Sequence, residues 1–202
     1  MVDEAGQAHA EGLVRFLTTA AVAVSLTTVA CGGSPSGPSI AATLNVRITD
    51  SPFSDADAVL VTFSEVAVHR ADDEWTTVPF AGDAMTRTCD LKKLEGAQDV
   101  LSVGALLQGH YTQIRLVVAS ATLYFENASG EGPACAPMIA PPYGQSAQLE
   151  IPSGEVKLNR QFELTTDDAT TMLLDFDGDR SIKQTGNGRY IMTPVIGIVS
   201  VQ

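Results

Sequence analysis

The run LNVRITDSPFSDADAVLVTFSEVAVHR, residues 44–70, decides the fold class. Leu44, Val46 and Ile48 alternate with Asn45, Arg47 and Thr49, the period of two that marks a strand with one buried face. Asp50-Ser51-Pro52 interrupts the pattern. Ala58–Arg70 then reads as a second, longer strand rich in β-branched residues, with a bulge expected near Ser64-Glu65 where the alternation slips. Ala71-Asp72-Asp73 supplies polar turn residues, and Trp75-Thr-Thr-Val-Pro79 follows as the return arm of a hairpin.

The rest of the chain reads the same way. Met85–Leu91 is a short strand, and YTQIRLVVASATLYFE (111–126) is a long one with Ile114, Leu116 and Val118 on one face. Residues 127–146 are rich in Gly, Pro and Ser and form an irregular loop. Strands are expected at Gln148–Ile151, Arg160–Thr165 and Thr171–Asp177, and Arg189–Val201 closes the chain, with Pro194 marking an edge or a bulge. DVLSVGALL, residues 99–107, is the one stretch that reads as a short helical turn. About eight strands and at most one short helix describe an all-β protein, an antiparallel β-sandwich of immunoglobulin-like or transthyretin-like kind.

Ahead of the sandwich lies an export signal. Phe16–Ala30 is an uncharged stretch too short for a comfortable membrane span of about 20 residues, and Arg15 precedes it. Val29-Ala30-Cys31-Gly32 looks like the lipobox of bacterial lipoproteins, in which the cysteine is acylated and becomes the new N-terminus. Thr28 stands where Leu is usual in that motif, and the acidic segment Val2–Glu11 is foreign to a signal's basic start; initiation at Val14 would remove it. A plain secreted protein is the alternative. The expected division is a signal peptide over 1–30, a flexible Gly/Ser/Pro tether over 31–41 after the lipidated Cys31, and one domain over 42–202. The tether places that domain near a membrane face, and Gly32, rather than Asp, favours the outer membrane over the inner.

The formal net charge is −12. Setting aside the first 30 residues removes Asp3, Glu4, Glu11 and Arg15 and leaves −10. Without a basic stripe, nucleic acid is not an expected partner. Of three cysteines, Cys31 is assigned to lipid, and Cys89 and Cys135 remain as an even pair for a disulfide in an oxidising compartment; the alternative is two free thiols.

Four ordered stretches carry a resemblance: residues 44–70 as quoted, GHYTQIRLVV (109–118), EIPSGEVKL (150–158) and LLDFDGDRSIKQTGNGRYIMTPVIGIV (173–199). Together they resemble the family known as domain of unknown function 4382 (DUF4382), over roughly residues 42–201. The resemblance implies an exported bacterial or archaeal protein, often a lipoprotein, with no established activity, and favours binding over catalysis.

Candidate chemistry is sparse. Asp175, Asp177 and Asp179 alternate as ligands for a hard cation do, so calcium is the one cofactor considered. The EF-hand pattern is incomplete, because Arg180 stands where its glycine belongs. Outward-facing strand carboxylates, one of them paired with Arg180 or Arg115, are the alternative. Asp50, Asp55 and Asp57 read as solvated loop acids. His69 and His110 lack zinc-site spacing. Trp75, Tyr111, Tyr124, Tyr143 and Tyr190 are candidates for stacking on sugar rings, with core packing as the competing reading, and Tyr143 is the one expected to be exposed. The function expected is that of a non-catalytic cell-envelope binding or assembly module for a glycan or protein ligand, held to the membrane by its lipid. A calcium-stabilised module and a hydrolase are the alternatives.

Overall fold

A computed structural model describes residues 41–202 apart from positions 52, 72 and 167. The expected signal peptide, Cys31 and the tether up to residue 40 lie outside the described residues. The run that opens the fold forms β1 (Ala41–Ser51) and β2 (Ala58–Arg70). Leu44, Val46 and Ile48 are fully buried, as their alternation requires. In β2 the side chains that join the core are Val59, Val61 and Phe63 before the irregularity and Val66 and Val68 after it. The register shift between Phe63 and Glu65 changes the parity of the strand and so keeps its apolar side chains on the core face.

The other strands are β3 (Trp75–Thr77), β4 (Arg87–Asp90), β5 (Asp99–Leu107), β6 (Gly109–Tyr124), β7 (Cys135–Ala136), β8 (Ser146–Glu150), β9 (Glu155–Leu164), β10 (Thr170–Asp177), β11 (Ile182–Gln184), β12 (Tyr190–Met192) and β13 (Ile196–Val201). A 3-10 turn at Leu91–Leu94 and the one-turn helix α1 (Gly178–Ser181) are the helical pieces among the described residues, and neither is long and apolar enough to cross a membrane. One sheet has the order β13-β10-β1-β5, and the other runs β11-β12-β8-β6-β2-β4-β7, with β3 on β2 and β9 on β6. Their facing apolar sides make one core, crossed by an edge-to-face contact of Phe63 and Phe176 at 6.3 Å. The all-β sandwich expectation holds, with more and shorter strands than eight. Most pairings are antiparallel, but β1 with β10 and β8 with β12 are parallel.

Residues 99–107 are a strand, not a helical turn. Ser102, Gly104 and Leu106 face inward while Val103, Ala105 and Leu107 face out, a period of two where a helix needs 3.6. Gly104 has a steric reason: a Cβ there would lie 2.9 Å from the Pro79 ring. The chain at 79–81 lies along β5 through Val103 N–H to Pro79 O and Ala81 N–H to Leu101 O.

Cys89 and Cys135 are disulfide-bonded and directly opposite each other on β4 and β7. Beside them Arg87 is buried, its guanidinium donating to the carbonyls of Val100, Ala81 and Cys135 at 2.8, 3.1 and 2.9 Å. Burial lowers the proton affinity of this guanidinium, with the nearby Asp99 carboxylate opposing the effect. Asp99 also accepts from the Cys135 N–H, so the loop that reads as irregular is tied to the sandwich by several independent bonds.

The last third of the chain changes sheets twice. β10 lies in the four-stranded sheet; α1 then carries the chain to the hairpin of β11 and β12 at the edge of the other sheet, and Thr193-Pro194-Val195 brings it back to β13. Pro194 therefore marks a crossing between layers. Ser181, 1% exposed, pins both crossings: its hydroxyl donates to Asp177 O and accepts from Val195 N–H at 2.8 Å, and its carbonyl accepts from Thr193 N–H at 2.8 Å.

Candidate functional site

The pinned hairpin carries a concave surface. Lys183 is opposite Ile191, and Thr185 N–H bonds Arg189 O at 2.7 Å to close the turn. Strand alternation then puts Lys183, Ile191 and Thr193 on one face, while Ile182 and Met192 turn into the core. Over the outward face lies a recess of about 770 Å³, with Ile191 and Val195 as apolar wall and Gln184, Thr185 and Thr193 as hydrogen-bonding groups. Arg180 and Lys183 bring positive charge to it, and Asp179 is its one carboxylate among the described residues. Thr185 and Ile191 are shared with a second recess of about 340 Å³ that reaches Arg189 and Glu150.

The charge of this region is unlike that of the rest. Residues 180–202 hold Arg180, Lys183 and Arg189 and no acid, in a chain whose formal charge is −12. Arg180 lies 3.7 Å from Asp177, and Arg189 lies 3.8 Å from Glu150, with side chains 74% and 71% exposed. Lys183 pairs with no carboxylate among the described residues. The acid-free C-terminal stretch was visible in the sequence, but a search for a basic stripe among many residues overlooks three cations gathered on one hairpin and the helical turn before it.

The aspartates proposed as metal ligands are used separately. Asp177 caps α1 by accepting from Arg180 N–H at 2.9 Å, and Asp175 takes the Ser51 hydroxyl at 3.2 Å. Asp179 lies within α1 at the recess. Among the described residues no group of three or more His, Cys, Asp or Glu is arranged to hold a metal ion. Of the two arginines considered as partners, Arg180 is beside Asp177, whereas Arg115 pairs with Glu65.

Asp55 and Asp57 are exposed, as loop acids should be, but Asp50 is not. It continues the inward alternation of Ile48 and is 6% exposed. One oxygen accepts from Gly178 N–H at 3.2 Å, and the other has no partner. Burial pushes its pKa from 3.8 up to about 8; the Gly178 bond and Lys92 oppose the rise, and the charges of Asp175 and Asp177 add to it. Asp175 and Asp177 belong to the outward positions of β10, where Met172, Leu174 and Phe176 point in, so they share an end of the sheet with Asp50 but lie on its opposite face.

Most of the aromatic candidates are occupied. Tyr111 is buried, stacked on Phe162 at 5.3 Å, and its hydroxyl donates to Leu107 O at 2.7 Å. Trp75 lies under the Arg115 guanidinium at 4.6 Å and beside His69 at 5.2 Å. Tyr190 packs near Phe125 at 5.6 Å, and Tyr124 is half-buried. Tyr143 is 90% exposed, as expected. The two histidines stay apart: His69 bonds Thr112 at 3.1 Å, and His110 bonds Glu163 at 2.6 Å.

A protein-family model described as domain of unknown function (DUF4382) matches residues 41–194. No curated protein and no solved structure matches the chain significantly.

Proposed function

Because the chain belongs to the DUF4382 family, whose description assigns no activity, we propose its function from its own surface: a non-catalytic binding module of the cell envelope, with the β11–β12 hairpin as its ligand-facing end. The observation that carries this reading is the recess of about 770 Å³ over the outward face of the hairpin, lined by apolar, hydroxyl-bearing and cationic side chains. Its size is that of ordinary ligand sites, which combine an apolar wall with a few polar groups. The groups whose proton affinity the fold shifts, Asp50, Asp73, Arg87, Tyr111 and Glu155, do not line it. That favours holding a ligand over acid–base chemistry in this recess. The calcium-stabilised alternative is not carried forward, because Asp175 and Asp177 are engaged with Ser51 and the α1 backbone.

The placement rests on the sequence. Phe16–Ala30 as the export signal and Cys31 as the acylated residue would hold the module by a short leash to a membrane, the outer one by the Gly32 criterion. A disulfide between Cys89 and Cys135 suits an oxidising compartment. The ligand is then an envelope glycan or protein.

Hydroxyl-radical footprinting of the protein in intact envelopes, against the purified protein in detergent, tests the reading. Protection centred on Tyr190–Met192 and α1 is expected. Protection centred instead on Trp75, or on the exposed Met85 and Met138, would move the binding surface elsewhere. Fatty-acid labelling that persists in Cys31→Ser would remove the anchor.

A further inference from the structure

Resting on the hairpin as binding surface, we infer that its recess takes a carboxylated saccharide, the uronate units of an acidic glycan. Three features of the outward face lead to that class. Lys183, without a carboxylate partner among the described residues, sits directly across from Ile191, so an anionic group and an apolar surface are accommodated side by side. A sugar ring has that mixed character, since its C–H face packs on aliphatic side chains while its edge presents hydroxyls. Gln184, Thr185 and Thr193 supply donors and acceptors for those hydroxyls around the apolar wall of Ile191 and Val195.

The second feature is continuity. Thr185 and Ile191 belong both to the larger recess and to the smaller one that reaches Arg189. Cations therefore line both adjoining recesses, Arg180 and Lys183 the larger and Arg189, 3.8 Å from Glu150, the smaller. A single compact anion needs only one of them; a chain of anionic units matches both. The third feature is contrast. The two recesses carry Arg180, Lys183 and Arg189 against Asp179 and Glu150, a positive excess in a chain whose formal charge is −12, so a polyanion is repelled by most of the surface and drawn to the hairpin, which orients it before contact.

Lysine on an edge strand also discourages edge-to-edge pairing between copies, so the test separates ligand binding from that role. Full-length protein in neutral detergent is titrated calorimetrically with oligogalacturonate, a neutral oligogalactose of equal length, inorganic phosphate and phosphatidylglycerol vesicles. Saturable binding of oligogalacturonate is expected, at least about tenfold tighter than the neutral oligomer and weakened by added salt. Lys183→Gln combined with Arg189→Gln should weaken it by about tenfold or more, with melting temperature and monodispersity unchanged. Equal affinity for the neutral oligomer overturns the uronate assignment, as does binding of phosphate or vesicles without oligogalacturonate. A double variant that is folded, monodisperse and unimpaired overturns it too. If oligogalacturonate fails while the envelope footprint still falls on the hairpin, the ligand class is wrong and the binding surface stands; if the footprint lies elsewhere, both fall.

Discussion

The buried carboxylate of Asp50, on β1, accepts a hydrogen bond from the N–H of Gly178, the first residue of α1, at 3.2 Å. This bond ties the end of the four-stranded sheet to the turn from which the basic hairpin departs. Gly178 is closely packed there: a Cβ would lie 3.2 Å from the Asp50 oxygen and 3.3 Å from Ser51 O.

Asp50 makes stability depend on pH in an unusual direction for an acid. The unfolded carboxyl releases its proton near 3.8 and the folded one near 8, chiefly because burial disfavours the charge. Between those values the native state binds more protons than the unfolded state, so stability falls as pH rises through this window, by at most about 1.4 kcal/mol per pH unit. Asp50→Asn, neutral throughout, should match the wild type near pH 4 and exceed it progressively toward pH 8. Urea denaturation at several pH values measures this; parallel curves for the two proteins would show that Asp50 is charged in the fold.

Ser181 should matter more to the hairpin than to the whole domain. Ser181→Ala leaves Val195 N–H without its acceptor and Asp177 O without the hydroxyl. The cost expected is about 1–3 kcal/mol, felt first as faster amide exchange across residues 182–193. Uniform exchange changes across all strands would deny Ser181 its role as a local pin.

The β4–β7 side is stapled twice. Removing the disulfide by Cys89→Ala with Cys135→Ala should cost about 3–4 kcal/mol in the chain-entropy picture. Arg87→Met should also destabilise, since it deprives three carbonyls of their donor at once. Chemical denaturation measures both; a disulfide-free variant as stable as the wild type would show that Arg87 and Asp99 suffice to hold the loop.

Calcium should leave the melting temperature unchanged. A site saturated at 100 times its dissociation constant adds about 2.7 kcal/mol, a shift a melt detects readily. A saturable rise with calcium, lost in Asp175→Asn, would reinstate the ligand set that the structure uses separately.

The strands were legible where alternation is strict: Leu44, Val46 and Ile48, Ile114, Leu116 and Val118, and Met172, Leu174 and Phe176 all face the core. DVLSVGALL misled because its apolar residues satisfy either period over so short a stretch, and β5 is decided by its partner β1. Asp50 occupies the next inward position after Ile48, but a turn-like Asp-Ser-Pro sequence hides a buried acid. The parallel pairings and the buried Arg87 depend on residues far apart in the chain, such as Arg47 opposite Leu173 and Arg87 against Cys135, and no local pattern encodes them; the recess is local, lined within residues 179–195, but its outward face depends on the register of the hairpin.

The most direct test of the hairpin as binding surface is an amide-resolved NMR titration of isotope-labelled protein with solubilised envelope glycan and protein fractions. Saturating shifts at Lys183, Thr185, Ile191 and Thr193, abolished when Thr193→Trp fills the recess, are the predicted result. Shifts centred on Trp75 and Arg115, or unchanged by Thr193→Trp, would contradict it.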